Sequence, residues 1–124
     1  MSNDIPYALL ERLASALNSH DVDELIRCFH HDYRSVQPAH PERSFVGQDN
    51  VAANWSWVFE HFEDFRATLL DYAVRDCTIW SEWEWAGNDP SGRYTVVRGV
   101  MILSVEGDLI VAGRLYMEPV NSAR

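Results

Sequence analysis

Cysteine, basic side chains and long apolar runs are all scarce in this 124-residue sequence, and each scarcity excludes a class of protein. Two cysteines, Cys28 and Cys77, are too few for a disulfide framework or a zinc cage. No apolar run approaches the roughly 18 residues of a membrane-spanning helix, and the polar start MSNDIPY lacks the apolar stretch of a signal peptide. We therefore expect a reduced, cytoplasmic protein with no membrane partner and no cofactor.

Acidic residues outnumber basic ones by nineteen to ten, which gives a formal net charge of −9 at neutral pH. The field of such a chain repels phosphate backbones, so nucleic acid is not expected as a partner. The chain is 47% hydrophobic and 12% aromatic, which is typical of a globular protein rather than a disordered one. Its length predicts a single domain over residues 1–124, with a folded core at about 5–119.

Helical signals dominate the first half of the chain. Leucines recur at helical spacing between Leu9 and Leu17, which predicts a first helix. Asp21 followed by Glu24 forms a capping box at the start of a short second helix. Residues 33–37 predict a short strand followed by a loop, and a third helix is expected after Gly47.

The second half changes to the two-residue period of strands, with turn signals near residues 87–92 and 106–108. This pattern predicts antiparallel strands at about 66–74, 77–86, 93–105 and 109–119. Helices followed by such a meander indicate an α+β domain, in which about three N-terminal helices pack on a curved, mostly antiparallel sheet.

Strand alternation separates an uncharged face of the sheet from a charged one. The face expected to meet the helices comprises Ser81, Trp83, Trp85, Thr95, Val97, Gly99, Met101, Leu103, Leu109, Val111, Gly113, Leu115 and Met117. The opposite face carries Glu82, Glu84, Arg98, Arg114 and Glu118 beside Trp80, Tyr94 and Tyr116. Glu82 and Arg98 are expected to pair across neighbouring strands. The mixture of charged and apolar groups on this outer face favours self-association, so we expect a homodimer formed through it.

Three stretches carry a resemblance to a known superfamily: HDVDELIRCFHHDY, VGQDNVAANW and RGVMILSVEGDLIVAGRLYMEPV. They resemble the nuclear transport factor 2-like superfamily, and within it the SnoaL-like and ketosteroid-isomerase-like branches. The resemblance covers about residues 5–119. It implies a cone-shaped, cystatin-like fold with a ligand pocket between the helices and the bent sheet. Homodimers are common among members of this superfamily.

The positions where the resemblance places the family's catalytic groups carry uncharged residues here. Gln37 stands at the general-base aspartate of ketosteroid isomerases, and an amide cannot abstract a proton. Leu13 and Met101 stand at their oxyanion-hole tyrosine and aspartate. Family epoxide hydrolases have an Arg-x-Asp pair on the penultimate strand, and Gly99 and Met101 stand at those two positions here. Leu115 stands at the last-strand aspartate of the epoxide hydrolases and at the base aspartate of the polyketide cyclases. A one-residue shift of the last strand would instead bring Arg114, Tyr116 and Glu118 inward.

The uncharged sheet face predicts a pocket for an apolar small molecule. The residues expected to bind it are Gln37, Trp55, Trp83, Trp85, Val97, Met101, Leu115 and Met117. One alternative is a proton-transfer enzyme of the isomerase, polyketide cyclase or dehydratase type that uses His40, Tyr33 or Glu118. Another is a dimerising interaction module whose core is filled. No metal is expected at His30, His31 and Asp32, because consecutive side chains diverge.

Overall fold

Three helices and one six-stranded sheet make up the computed structural model, which describes residues 4–121. The helices are α1 (Asp4–Ser19), α2 (Val22–Ile26) and α3 (Gln48–His61), and a single-turn 3-10 helix spans Pro41–Arg43. The strands are β1 (Phe29–Val36), β2 (Phe45–Val46), β3 (Arg66–Arg75), β4 (Thr78–Asn88), β5 (Tyr94–Glu106) and β6 (Leu109–Pro119). Over this part of the chain, no helix has the length and apolar character needed to span a bilayer.

The sheet has the strand order β2-β1-β6-β5-β4-β3, and every pairing is antiparallel except that of β1 with β6. The predicted α+β class and the four-strand meander are confirmed. The first strand begins at Phe29 rather than at residue 33. The two-residue strand β2 was not predicted, because Phe45 and Val46 are too few to show a strand period.

The helices are fixed to the sheet by one apolar stripe and two polar anchors. Leu9, Leu10, Leu13 and Leu17 of α1 are all buried in the core against the sheet. Asn18 anchors the end of α1 to β3, since its amide donates to the Ala67 carbonyl at 2.9 Å and accepts from the Ala67 N–H at 2.7 Å. Half of the predicted capping box of α2 forms, with the Glu24 N–H donating to Asp21 Oδ1 at 3.0 Å. The Glu24 side chain pairs with Arg27 instead of reaching back, and the Asp21 N–H donates to the Ala16 carbonyl at 3.2 Å.

The predicted division of the sheet into two faces holds through β4, β5 and the end of β6. Met101 and Leu115 are direct neighbours across β5 and β6, and Trp83, Gly99 and Met117 form the adjacent row. Met117 is buried whereas Glu118 is exposed, so the one-residue shift of the last strand does not occur.

Two details of the predicted register were wrong. A bulge between Ser104 and Val105 turns Ile110 inward, where it is fully buried, instead of Leu109 and Val111. Arg98 is aligned with Glu84 rather than Glu82, and its Nε lies 2.7 Å from the Glu84 carboxylate. The alternation of charge was read correctly, but sequence alone could not fix which positions lie directly opposite one another.

Candidate functional site

A cavity of about 540 Å³ lies between the helices and the inner face of the sheet. Its floor is formed by β4, β5 and β6, and its cover by α1, α3 and the segments that flank them. The lining consists of Leu13, Leu17, Phe29, Tyr33, Ser35, Gln37, Arg43, Phe45, Val51, Asn54, Trp55, Val58, Phe62, Phe65, Trp85, Ala86, Gly87, Thr95, Val97, Met101, Leu103 and Leu115. A cavity of this volume is in the range that accommodates a small organic molecule.

Aromatic side chains from α3 and the strands pack together at one side of the cavity. The ring of Trp55 meets Trp85 edge to face, with centroids 5.2 Å apart, and meets Phe65 at 5.5 Å. Such edge-to-face contacts hold the rings in fixed orientations. The wall therefore offers flat, largely preformed apolar surfaces to a ligand.

The polar lining groups are concentrated along β1 and its continuation. Tyr33, Ser35 and Gln37 alternate onto the same side of this segment, and all three line the cavity. Tyr33 and Ser35 are buried, whereas Gln37 is half-buried, so the row runs from the interior toward solvent. One row of hydrogen-bonding groups thus follows this edge, and Arg43, Asn54 and Thr95 add polar groups from other elements.

Tyr33 occupies room that Gly113 leaves free on the neighbouring strand β6. A Cβ atom at residue 113 would lie only 2.5 Å from the Tyr33 hydroxyl oxygen. Burial raises the pKa of Tyr33 above its usual value, and the hydrogen bond with the Ser35 side chain offsets part of this rise. The phenol is therefore neutral at physiological pH and can donate a hydrogen bond to a ligand oxygen.

The mouth of the cavity is formed by the loop after β1 and by α3. Arg43, exposed on the 3-10 helix, donates from Nη1 to Gln37 Oε1 at 3.5 Å. Asn54 lines the mouth from α3 and is also exposed. The loop is attached to the end of β6, because His40 Nε2 lies 2.9 Å from Glu118 Oε2. This hydrogen bond holds the loop, and with it Gln37 and Arg43, beside the opening.

A family model for the SnoaL-like domain matches residues 10–113 of the sequence. The chain belongs to the SnoaL-like family. No curated protein matches the sequence significantly.

Solved structures of the nuclear transport factor 2-like superfamily share the fold of this SnoaL-like chain at low sequence identity. AclR from Streptomyces galilaeus has a TM-score of 0.82 at 12% identity, covering 94% of this chain and 81% of its own. TsrD from Streptomyces laurentii has a TM-score of 0.80 at 22% identity, covering 96% and 90%. A protein of ketosteroid-isomerase-like fold from Catenulispora acidiphila, solved with trimethylamine, has a TM-score of 0.71 at 15% identity, covering 86% and 82%.

The structure places most of the predicted ligand-binding residues of the SnoaL-like domain at the cavity. Those that line it are Gln37, Trp55, Trp85, Val97, Met101 and Leu115. Trp83 and Met117 are buried members of the core and are not among the lining residues, although both lie on the inner face. They lie on either side of Gly99 in one row of the sheet, and both are buried in the core.

The positions that correspond to the family's catalytic groups lie at this cavity with one exception. Leu13, Gln37, Met101 and Leu115 all line it, and Gly99 does not. Their side chains are uncharged, so the SnoaL-like cavity lacks carboxylates at these positions. The cavity is present where the resemblance implies it, but the acid and base groups of the family's enzymes are not.

The three catalytic candidates separate into two places. Tyr33 lines the cavity, whereas His40 and Glu118 contact each other outside the lining. Their side chains are 31% and 51% exposed, so the pair faces solvent at the loop after β1.

The residues that sequence reasoning missed are Arg43 and Asn54. Neither has a pattern signal, because an arginine in a loop and an asparagine on a helix are usually solvent-exposed surface residues.

His30, His31 and Asp32 are closer together than expected. The histidine rings stack with centroids 4.4 Å apart, and His31 Nε2 lies 3.2 Å from Asp32 Oδ2. The expectation that these side chains diverge was wrong, because the Asp32 N–H donates to His30 Nδ1 and the register of β1 shifts in this segment. The cluster lies outside the cavity lining, and the absence of a metal there stays a prediction.

Proposed function

We propose that this SnoaL-like domain binds an apolar small molecule in the cavity between its helices and its sheet. The observation that supports this is a cavity of about 540 Å³ whose lining side chains are mostly aliphatic and aromatic. Apolar walls supply binding free energy through the burial of ligand surface, and a few polar groups set orientation. Tyr33, Ser35 and Gln37 supply those polar groups along one edge.

Binding without proton transfer fits the lining better than the enzymatic alternative. Among the described residues, Tyr33 and Arg43 are the only lining side chains that titrate. Tyr33 has a raised pKa, and the guanidinium of Arg43 carries hydrogen-bond donors and no acceptor, so neither side chain serves as a general base. His40 and Glu118 contact each other outside the cavity lining. A general base for an isomerase, cyclase or dehydratase reaction is therefore missing at the place where a ligand would lie.

The alternative of an interaction module with a filled core does not fit a cavity of this size. A filled core leaves few voids larger than a water molecule. The solved structure from Catenulispora acidiphila, a complex with trimethylamine, adds that a protein of this fold takes up a small organic molecule. Both observations favour a ligand-binding role.

Binding of a naphthalene derivative should stabilise the protein and change its tryptophan fluorescence. We expect naphthylethanol, a neutral probe, to raise the melting temperature. At a hundred times its dissociation constant the free energy of unfolding rises by about 2.7 kcal/mol. Trp55 and Trp85 line the cavity, so their emission should respond in a saturable titration.

Saturable binding measured by calorimetry on protein stripped of co-purifying lipids is the deciding measurement. If naphthyl, steroid-like and terpenoid probes all leave the melting temperature and the emission unchanged, the proposed function is wrong.

We also propose that the protein forms a homodimer through the outer face of the sheet. No helix of the described chain covers this face, and Trp80, Tyr94 and Tyr116 are 45%, 63% and 42% exposed on it. Charged side chains of both signs, including Arg114 and Glu118, lie among these rings. A second copy can bury the aromatic rings and pair the charges, as stable interfaces do.

Substitution of Trp80 with glutamate is expected to weaken that dimer at least about tenfold, because it removes an aromatic anchor and buries a charge. Light scattering after size exclusion, over a range of protein concentrations, gives the dissociation constant. Trp57→Glu is the matched control, since Trp57 is 53% exposed on α3 and away from the sheet. A wild-type protein that stays monomeric at high micromolar concentration contradicts the proposal.

A further inference from the structure

Arg43 is the one charged side chain that lines the cavity within the described residues. It lies on the 3-10 helix Pro41–Arg43 and is exposed at the mouth. Its backbone N–H donates to the His40 carbonyl at 2.9 Å, and His40 is bonded to Glu118 on β6. Because this segment is fixed to the sheet, the guanidinium has a defined place beside the opening.

The groups around Arg43 present hydrogen-bond donors to a ligand. Arg43 Nη1 donates to Gln37 Oε1, which leaves the Gln37 amide nitrogen free to donate toward the mouth. Asn54 provides a further amide from α3. Two acidic side chains lie near Arg43: Glu118, which reaches the loop from β6 and is bonded to His40, and Glu42, which precedes Arg43 on the 3-10 helix and forms no ion pair with it. In the described part of the chain, no carboxylate lies within ion-pair distance of Arg43.

The interior of the cavity restricts where a charged group of a ligand can lie. Leu13, Leu17, Met101 and Leu103 line much of its buried part, and neutral groups such as Tyr33 and Ser35 are the polar side chains there, so an ion would lose its hydration without gaining a charged partner. A charged group is tolerated only at the mouth, where solvent and the guanidinium meet. Guanidinium groups bind carboxylates through two parallel hydrogen bonds.

Building on the proposed function, we propose that the ligand is an apolar monocarboxylate. Its hydrocarbon body occupies the cavity, and its carboxylate is bound at the mouth by Arg43 with help from the amide of Gln37. The net charge of −9 disfavours anions at long range, so a preference for an anionic ligand must come from this local contact.

Three probes with the same aromatic body test the proposal: naphthylacetate, naphthylethanol and naphthylethylammonium. We expect naphthylacetate to bind about fivefold more tightly than the alcohol, the gain of one partly exposed ion pair. The cation should bind more weakly than the alcohol. Arg43→Gln should make the acid and the alcohol bind equally, whereas Arg43→Lys should retain part of the preference.

Arg34→Gln is the matched control, because Arg34 is exposed on β1, does not line the cavity and carries the same charge. It should leave the preference for the acid unchanged.

If all three probes bind equally, the charge assignment is wrong while the proposed function stands. If none of the three binds, the charge assignment is wrong, and the proposed function is wrong as well if the steroid-like and terpenoid probes also fail to bind. A preference for the acid that survives Arg43→Gln also overturns the role given to Arg43. Since Arg43 is exposed in a loop, these variants are expected to fold, and their melting temperatures check this.

Discussion

Replacement of Gly99 with alanine is expected to destabilise the protein more than any other single change proposed for it. A Cβ atom at residue 99 would lie 1.8 Å from the backbone carbonyl oxygen of Tyr116, far inside van der Waals contact. The obstacle is backbone of the paired strand β6, so relief requires that the β5–β6 ladder open. We expect a loss of more than about 4 kcal/mol, against a total stability of about 5–15 kcal/mol for a domain.

Urea denaturation followed by circular dichroism measures this loss. Gly107→Ala is the control, because Gly107 also has a positive φ of 63°, but nothing lies within 4 Å of its added Cβ. That variant should lose only about 1–2 kcal/mol, the strain of a left-handed alanine. If Gly99→Ala is no less stable than Gly107→Ala, the close approach of β5 and β6 at this point is wrong.

The sequence was sufficient to predict the architecture because the two halves of the chain have different hydrophobic periods. The N-cap at Asp21 and the alternation over β4 and β5 are local signals, and both proved correct. The bulge after Ser104 depends on how two strands pair, so the hydrophobic period of the sequence does not reveal it. For that reason the prediction assigned Leu109 and Val111 to the wrong face. Periodicity assigns side chains to a face, but it does not reveal where a ladder slips.

The cavity was harder to predict than the sheet faces. Parity placed Trp83 and Trp85 on the same face, and only Trp85 lines the cavity. Whether an inward-facing side chain lines the cavity or fills the core depends on the distance between the helices and that part of the sheet. The alternation of residues along a strand does not give this distance. Arg43 was missed because its approach to the mouth depends on a loop that His40 and Glu118 hold in place across 78 positions of sequence.

Replacement of Val97 with tryptophan is expected to weaken ligand binding about a hundredfold while the fold is kept. Val97 lies on β5 between Trp85 and Pro119 in the register, and its side chain lines the cavity. An indole there extends into free volume rather than into packed atoms, so stability should not fall. If it displaces about 110 Å² of ligand contact, the loss is about 2.8 kcal/mol, or about a hundredfold in the dissociation constant.

Calorimetry with naphthylethanol measures the affinity of this variant, and a thermal melt verifies its fold. Val96→Trp is the matched control, because it adds the same side chain one residue away on the opposite face of β5, outside the cavity lining. It should bind the probe like the unaltered protein. The smaller Val97→Phe should fall between the two, since it fills less of the space. If Val97→Trp binds as tightly as Val96→Trp, the ligand lies elsewhere, and the inner face of the sheet serves only as core.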